Sequence, residues 1–314
     1  MKAALVKRYG KQWCVEIGET PRPVPGDYDI LVRVRATTVN RTDLGELLHP
    51  LMARLIIARS TVKRHILGLD FAGVVEATGP AVARFKRGDR VFGLSGLRRN
   101  GRQAEFVLAK ETGPVARLPD GVAFGDAVIG EGAYYASGSL RDFAPGPGQK
   151  MLVYGASGAI ESAAVQLAKE AGAEIFAAVL PQHLPMAATL GATQVLDATA
   201  PELDAMEGEF DLILDAVGKL RSDRWRPLLK LGGRFATTDA GPRGESMALA
   251  LWSKIRGNNQ VSIPLPARPM PNHYSRNWRG DWPTAATAQS STAIFRWHRS
   301  TTLIASSRPA IRRA

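Results

Sequence analysis

Cysteine is almost absent: Cys14 stands alone in 314 residues. It has no internal disulfide partner, which fits a reducing compartment, and a four-cysteine zinc site within one chain is excluded. Beside Trp13 and Val15 it reads as a buried strand residue. Long apolar runs are missing too, with none near the ~18 residues that a membrane-spanning helix requires. Met1 through Val6 is too short for a secretory core and is cut by Lys7-Arg8, so the expectation is a cytoplasmic protein without a membrane partner. Acids are scarce, 29 against 41 Lys plus Arg, for a net charge of +12. Seven of those twelve charges lie beyond Pro266, where eight Arg face one acid, Asp281. The remainder is only mildly basic, which argues against a nucleic-acid-binding face.

What is present divides by pattern. Through about residue 122, short β-like runs alternate with Gly and Pro. Ile30 through Ala36 shows partial period-two alternation, Gly73 through Ala77 is another strand candidate, and Gly88-Asp89-Arg90-Val91 reads as a turn feeding a strand. A small barrel-like β domain is expected over 1–122. Over 123–266 the pattern becomes helices alternating with apolar strands: Met151–Tyr154, Ala173–Val179, Gln194–Asp197, Phe210–Asp215 and Gly233–Thr237. That predicts an α/β domain with a parallel, doubly wound sheet.

Val153-Tyr154-Gly155-Ala156-Ser157-Gly158-Ala159-Ile160 joins one of these strands to an Ala-rich helix. A dinucleotide site needs a strand to deliver the chain, a small-residue turn that lets backbone N–H groups reach a pyrophosphate, and a helix starting there. All three are present, so Gly155, Ala156, Ser157, Gly158, Ala159 and Ile160 are expected to bind a cofactor. The plainer alternative is a strand–helix turn that merely uses small residues. One position breaks the fingerprint Ala156-x-Gly158-x-x-small: Glu161 stands where a glycine would allow close packing. Bulk there costs about 1–3 kcal/mol, and a carboxylate repels phosphate, so impaired binding is expected unless the side chain swings outward. After the second strand, Leu180-Pro181-Gln182-His183 offers no acid for a ribose, which favours NADP over NAD, although no Arg or Lys stands there to clamp a 2′-phosphate.

With these blocks the chain resembles the zinc-free quinone oxidoreductase branch of the medium-chain dehydrogenase/reductase superfamily. The resemblance rests on Val39-Asn40-Arg41-Thr42-Asp43, Gly68 through Glu76, Gly88 through Val91, Tyr154 through Lys169, Leu190 through Thr193, Asp211 through Gly218 and Leu231 through Arg234. It implies a GroES-like catalytic domain plus a Rossmann domain, with NADPH as cofactor. It implies hydride transfer to a quinone or α,β-unsaturated carbonyl, the small-molecule partner. Zinc-dependent relatives carry Cys at the position of Asn40 and His-Glu at those of Leu69-Asp70, so no zinc is expected; His49 and His65 read as surface or core residues. Asn40 is the candidate active-site amide, and Tyr134 or Tyr135 a candidate donor or a packed helix aromatic. Asp43 either orients the site or caps a helix. By the same likeness Asp215, Ala216 and Val217 pass under the cofactor, Thr237 and Thr238 lie near the nicotinamide, and a homodimer is implied by analogy. An enoyl-thioester or alcohol reductase, and a catalytically impaired remnant, are the alternatives.

Residues 267–314 depart from this pattern: Lys, Glu and Val are absent and Arg, Ser, Thr, Ala and Pro dominate. Plausible codons for Gln289 through Ala314, read one base out of register, yield Ala-Val-Ile-Asp-Arg-His-Phe-Pro-Leu-Ala and a continuation that resembles the family's ending. The tail is therefore read as frameshifted, disordered or weakly helical, and without a final strand. Sequencing the gene checks this: an alternative frame encoding that ending is expected, and its absence refutes the frameshift.

Overall fold

The computed structural model describes residues 1–48, 66–94, 101–128, 130–239, 241, 244–258, 260–263 and the backbone of 293–296. These residues fall into two compact units, divided between Glu131 and Gly132, with 293–296 belonging to the first.

In the first unit, β1 (Lys2–Arg8) and β2 (Cys14–Glu19) form an antiparallel hairpin. β3 (Asp29–Val39) is followed by α1 (Arg41–Leu48), β4 (Asp70–Thr78), β5 (Arg90–Leu94), β6 (Phe106–Lys110) and β7 (Val115–Arg117). The alternation read from the sequence is real: Val32, Val34 and Ala36 are buried while Arg33 and Arg35 between them are exposed. Val32 and Val34 pack with Ile30, Phe71, Val91 and Val107 in one core. Where β4 crosses β3, a side chain at Gly73 would overlap the Arg33 carbonyl, so only glycine permits that approach. Cys14 is in a strand but half-buried, 3.9 Å from Glu16 Oε1; no residue of β2 is fully buried.

The tail expectation fails at one place. β14 (Ala293–Arg296) is a strand, antiparallel to β3, with Ala293 opposite Val39 and Arg296 opposite Ala36. The physical reason lies on β3. Its edge is taken by β6 only from Asp29 to Arg33, leaving the backbone groups of the 36–39 stretch to be paired. Four extended residues including Ile294 and Phe295 satisfy that row.

The second unit holds α3 (Gly130–Phe143, with Gly130 and Glu131 still in the first unit), entered after α2 (Phe124–Ala127), and a six-stranded sheet. Its strands are β8 (Lys150–Tyr154), β9 (Glu174–Val179), β10 (Gln194–Asp197), β11 (Phe210–Asp215), β12 (Leu229–Thr237) and β13 (Val261–Ser262). All pairings are parallel, in the order β10-β9-β8-β11-β12-β13. Alternate residues feed opposite layers: Met151 and Val153 join one core with Val165 and Ala168 of α4 (Ala159–Glu170), and Leu152 joins the other. In that second layer Trp225 of α7 (Ser222–Leu228) stacks on Phe235 at 4.4 Å. The shorter α5 (Leu184–Thr189), α6 (Pro201–Asp204) and α8 (Glu245–Ile255) complete the unit. Among the described residues no helix is long and apolar enough to cross a membrane.

Deleting residues 291–314 should uncover the 36–39 edge of β3, costing roughly 1–3 kcal/mol in urea unfolding and increasing aggregation. An unchanged midpoint and solubility would show that β14 contributes nothing to the first unit.

Candidate functional site

The order of the parallel sheet reverses between β8 and β11, and the crevice beyond the carboxyl ends of such strands is where open α/β sheets bind ligands. Tyr154 is level with Asp215, and Asp215 with Thr237, so the three loops after these residues leave the sheet side by side. The predicted cofactor residues Gly155 through Ile160, Asp215 through Val217, and Thr237 and Thr238 are thus brought to one edge of the second unit. Gly155 turns the chain with φ +79°, and its N–H and that of Ala156 both donate to the Ala178 carbonyl, at 2.8 and 3.2 Å. Gly158 N–H donates to the Gly155 carbonyl, and Ser162 N–H to that of Gly158, which starts α4. Gly132 of α3 comes so close that a Cβ there would lie 2.5 Å from the Ala159 carbonyl oxygen.

Asp215 shapes the loop instead of reaching out of it. Its carboxylate accepts the N–H groups of Val217 and Gly218 at 3.0 Å and of Leu220 at 2.9 Å. Burial raises its pKa and these three bonds oppose the rise. Val217 packs over Gly155, where a Cβ would overlap Val217 Cγ2. Thr237 is buried, its Oγ1 accepting Asp239 N–H at 3.1 Å, and Thr238 beside it is half-buried. His183 ends a short 3-10 turn after β9, and Leu180 before it is exposed.

Glu161 does not swing outward. It lies in the first turn of α4, only 3% exposed. A Cβ on Gly158 would meet its Cδ at 3.0 Å and its Oε2 closer still, while Oε1 lies 3.5 Å from where Gly155 would carry one. The missing side chain of the second fingerprint glycine is what leaves room for a pyrophosphate. Here the Glu161 carboxylate fills that room, so the turn in this arrangement does not fit a dinucleotide.

The first unit holds a buried polar knot at the Asn40 position. Asn40 begins α1: its Oδ1 accepts Thr42 N–H at 2.9 Å and Asp43 N–H at 3.2 Å, and Asp43 Oδ2 accepts Asn40 N–H at 3.0 Å in return. That is a reciprocal helix cap, the capping role weighed for Asp43. The Asn40 amide also donates to Thr38 Oγ1 at 3.2 Å. Thr38 donates to Asp70 through its N–H (2.9 Å) and its hydroxyl (2.8 Å to Oδ2). Gln103 Nε2 bridges Asp43 Oδ2 and the Thr38 carbonyl, and Gly68 N–H donates to Asp43 Oδ1. Thr38, Gln103 and the hydrogen-bonded role of Asp70 were not singled out from sequence; the bonds joining Thr38 to Asp70 and Gln103 to Asp43 and Thr38 span 32 to 65 residues. The nearest signal was the Gly68-Leu69-Asp70 block itself.

Tyr134 and Tyr135 lie on α3, half-buried and edge to face at 6.1 Å, and burial raises the Tyr134 pKa. Asn40 belongs to the first unit and Tyr134 to the second. His49 and His65 lie outside the described residues. Among the described residues no group of three or more His, Cys, Asp or Glu could hold a metal.

Comparison with known proteins agrees with this layout. Residues 26–120 match the alcohol dehydrogenase GroES-like domain and residues 159–261 the zinc-binding dehydrogenase family. A chloroplastic quinone-oxidoreductase homolog of Spinacia oleracea is 31% identical over 260 residues, 79% of this chain and 76% of that protein. The chain belongs to the medium-chain dehydrogenase/reductase superfamily, and to its quinone oxidoreductase type. A trans-enoyl reductase of Alternaria alternata is 33% identical over 69% of this chain and 66%, just under two thirds, of its own length. The quinone oxidoreductase structure from Coxiella burnetii shares the fold, with a TM-score of 0.78, 20% identity, and coverage of 95% of this chain and 99% of that one. Members use NAD(P), and the family fold is the β-rich GroES-like unit and the Rossmann-like unit described above.

Burial raises Asp70 from its ordinary 3.8 to about 7, against the Thr38 bonds and with help from the Asp43 charge. Burial likewise raises Asp43 to about 6, with Glu46 adding to the rise. Both are higher folded than unfolded, so their contribution to stability is full below pH ~4 and is lost as pH rises through about 6 and 7. Urea unfolding should therefore show stability falling from about pH 4 to about pH 7 and levelling off above it, and Asp70→Asn should flatten the decline. A variant that keeps the parent's slope would locate the pH dependence elsewhere.

Proposed function

We propose that this oxidoreductase acts on a quinone or an α,β-unsaturated carbonyl, takes its hydride from NADPH and works without zinc. The observation that carries the reading is the convergence of Gly155–Ile160, Asp215–Val217 and Thr237–Thr238 at the reversal point of the sheet. NADPH is favoured by the lack of an acid after β9, where Leu180 stands exposed. The named relatives, a quinone-oxidoreductase homolog and a trans-enoyl reductase, support both acceptor classes.

Independence from zinc is supported by the chemistry of the side chains. Asn40 spends its amide on a helix start and Thr38, Leu69 is a buried hydrocarbon, and Asp70 accepts Thr38 twice. None of the three offers a thiolate or imidazole. Asn40, fixed by this network, is the proposed donor to charge developing on the acceptor oxygen, and Tyr134 the proposed second polar contact. The chain's own work is to hold these groups still. Glu161 occupies the turn, and that observation favours a second reading, a family member with impaired binding.

The reading is tested by following NADPH consumption with benzoquinone and with an enone, before and after chelator treatment, in the parent chain and in Glu161→Gly. Chelator-insensitive turnover in at least one chain is expected. Asn40→Asp keeps a helix-capping oxygen but lacks the amide that donates to Thr38, so kcat/KM should fall about 10²–10³-fold under conditions where unfolding shows the variant still folded. Chelator-sensitive turnover would rule out the zinc-free reading, and an Asp variant as active as the parent would remove Asn40 from the site.

A further inference from the structure

We propose that Glu161 is a built-in competitor for the dinucleotide, its carboxylate holding the place of the pyrophosphate at the start of α4. The inference rests on the NADPH reading and goes beyond it by assigning the residue that decides whether the cofactor can enter.

Three observations meet at this side chain. First, its position: Glu161 is in the opening turn of a twelve-residue helix, whose N-terminal N–H groups and dipole attract one anion. Second, its burial: at 3% exposed the side chain is not a solvated surface carboxylate that happens to lie nearby. Third, its contacts: the carboxylate lies against the bare Cα faces of Gly155 and Gly158, the two glycines around which the turn is built. A phosphate arriving here meets both a filled volume and a like charge.

The space around the turn leaves little choice of a second position. Val217 already covers Gly155, and the Ala159 carbonyl is packed against Gly132. Cofactor entry therefore requires Glu161 to rotate out, and only chains in that state bind. The apparent dissociation constant rises by the reciprocal of the fraction that has rotated, so a state populated at roughly 1–10% weakens binding about 10- to 100-fold. The same exchange acts oppositely on the free protein. A glycine at this position removes a favourable first-turn carboxylate and loosens the helix backbone.

NADPH titration by fluorescence, with thermal melting and circular dichroism, on the parent chain, Glu161→Gly and Glu161→Gln tests this. The expected result is binding at least about tenfold tighter in Glu161→Gly, an intermediate affinity in Glu161→Gln, and a melting temperature a few degrees lower for Glu161→Gly without NADPH. Equal affinities for folded parent and Glu161→Gly overturn the competitor role and leave the NADPH reading standing; a lower melting temperature alone, with affinity unchanged, is the signature of a merely structural residue and does the same. Folded variants that all fail to bind NADPH and NADH overturn the cofactor reading itself.

Discussion

The distance of closest approach at the Gly155–Gly158 turn sets the terms for the second unit. Three strands end at one level, and the loop leaving each of them must fit over its neighbour. Gly155 can lie beneath Val217 only because it has no side chain and accepts a positive φ. Val217 is held there because Asp215 gathers three backbone N–H groups of its loop. The helix α4 then begins where the turn leaves off, against Gly132 of α3. Contacts this close use up the free volume around the turn, so a change of one residue there is felt by all of its neighbours.

The first unit is organised by a different economy. Its polar centre, around Asp43 and Asp70, is buried. Asp43 and Asp70 are both removed from water and are held in the interior by donors, one of them local (Asn40) and three from distant parts of the chain: Gly68, Gln103 and Thr38. A knot of this kind fixes Asn40 in one orientation, which is what a positioned amide needs. It also fixes the cost: two raised acids make the unit less stable as pH rises. Site geometry and stability are therefore set by the same few hydrogen bonds.

Much of this was legible in the sequence because it is periodic or local. Alternation at Val32, Arg33, Val34 and Arg35 marked the half-exposed strand, and apolar runs such as Met151–Tyr154 marked strands buried on both faces. The Asn40–Asp43 cap is legible for the same reason, its partners being three residues apart. Thr38–Asp70 and Gln103–Asp43 were not, because nothing local in a threonine or glutamine announces a partner 32 or 60 positions away. β14 was missed for a related reason. Its pairing is decided by the half-filled edge of β3, so composition around Ala293–Arg296 could not reveal it. The strand forms in the frame as read, which shows that docking on an edge asks little of a sequence beyond a few extended residues.

Glu161 is where close packing and buried charge meet. A helix start that attracts phosphate attracts any anion, and a carboxylate on the chain itself needs no translational entropy to reach it. Bare glycines at a helix start, which suit a phosphate, therefore also make a good resting place for a glutamate one turn along. A glycine at this position does more than allow helix and strand to pack; it keeps the site's own attraction directed outward. Replacing it leaves the fold intact, with α4, β8 and β9 all in register, and turns that attraction inward. The damage, if measured as binding, is consequently far larger than any measure of folding would suggest. A chain can thus keep the two-unit fold of its family among its described residues while the turn at the start of α4 is filled by a carboxylate of its own.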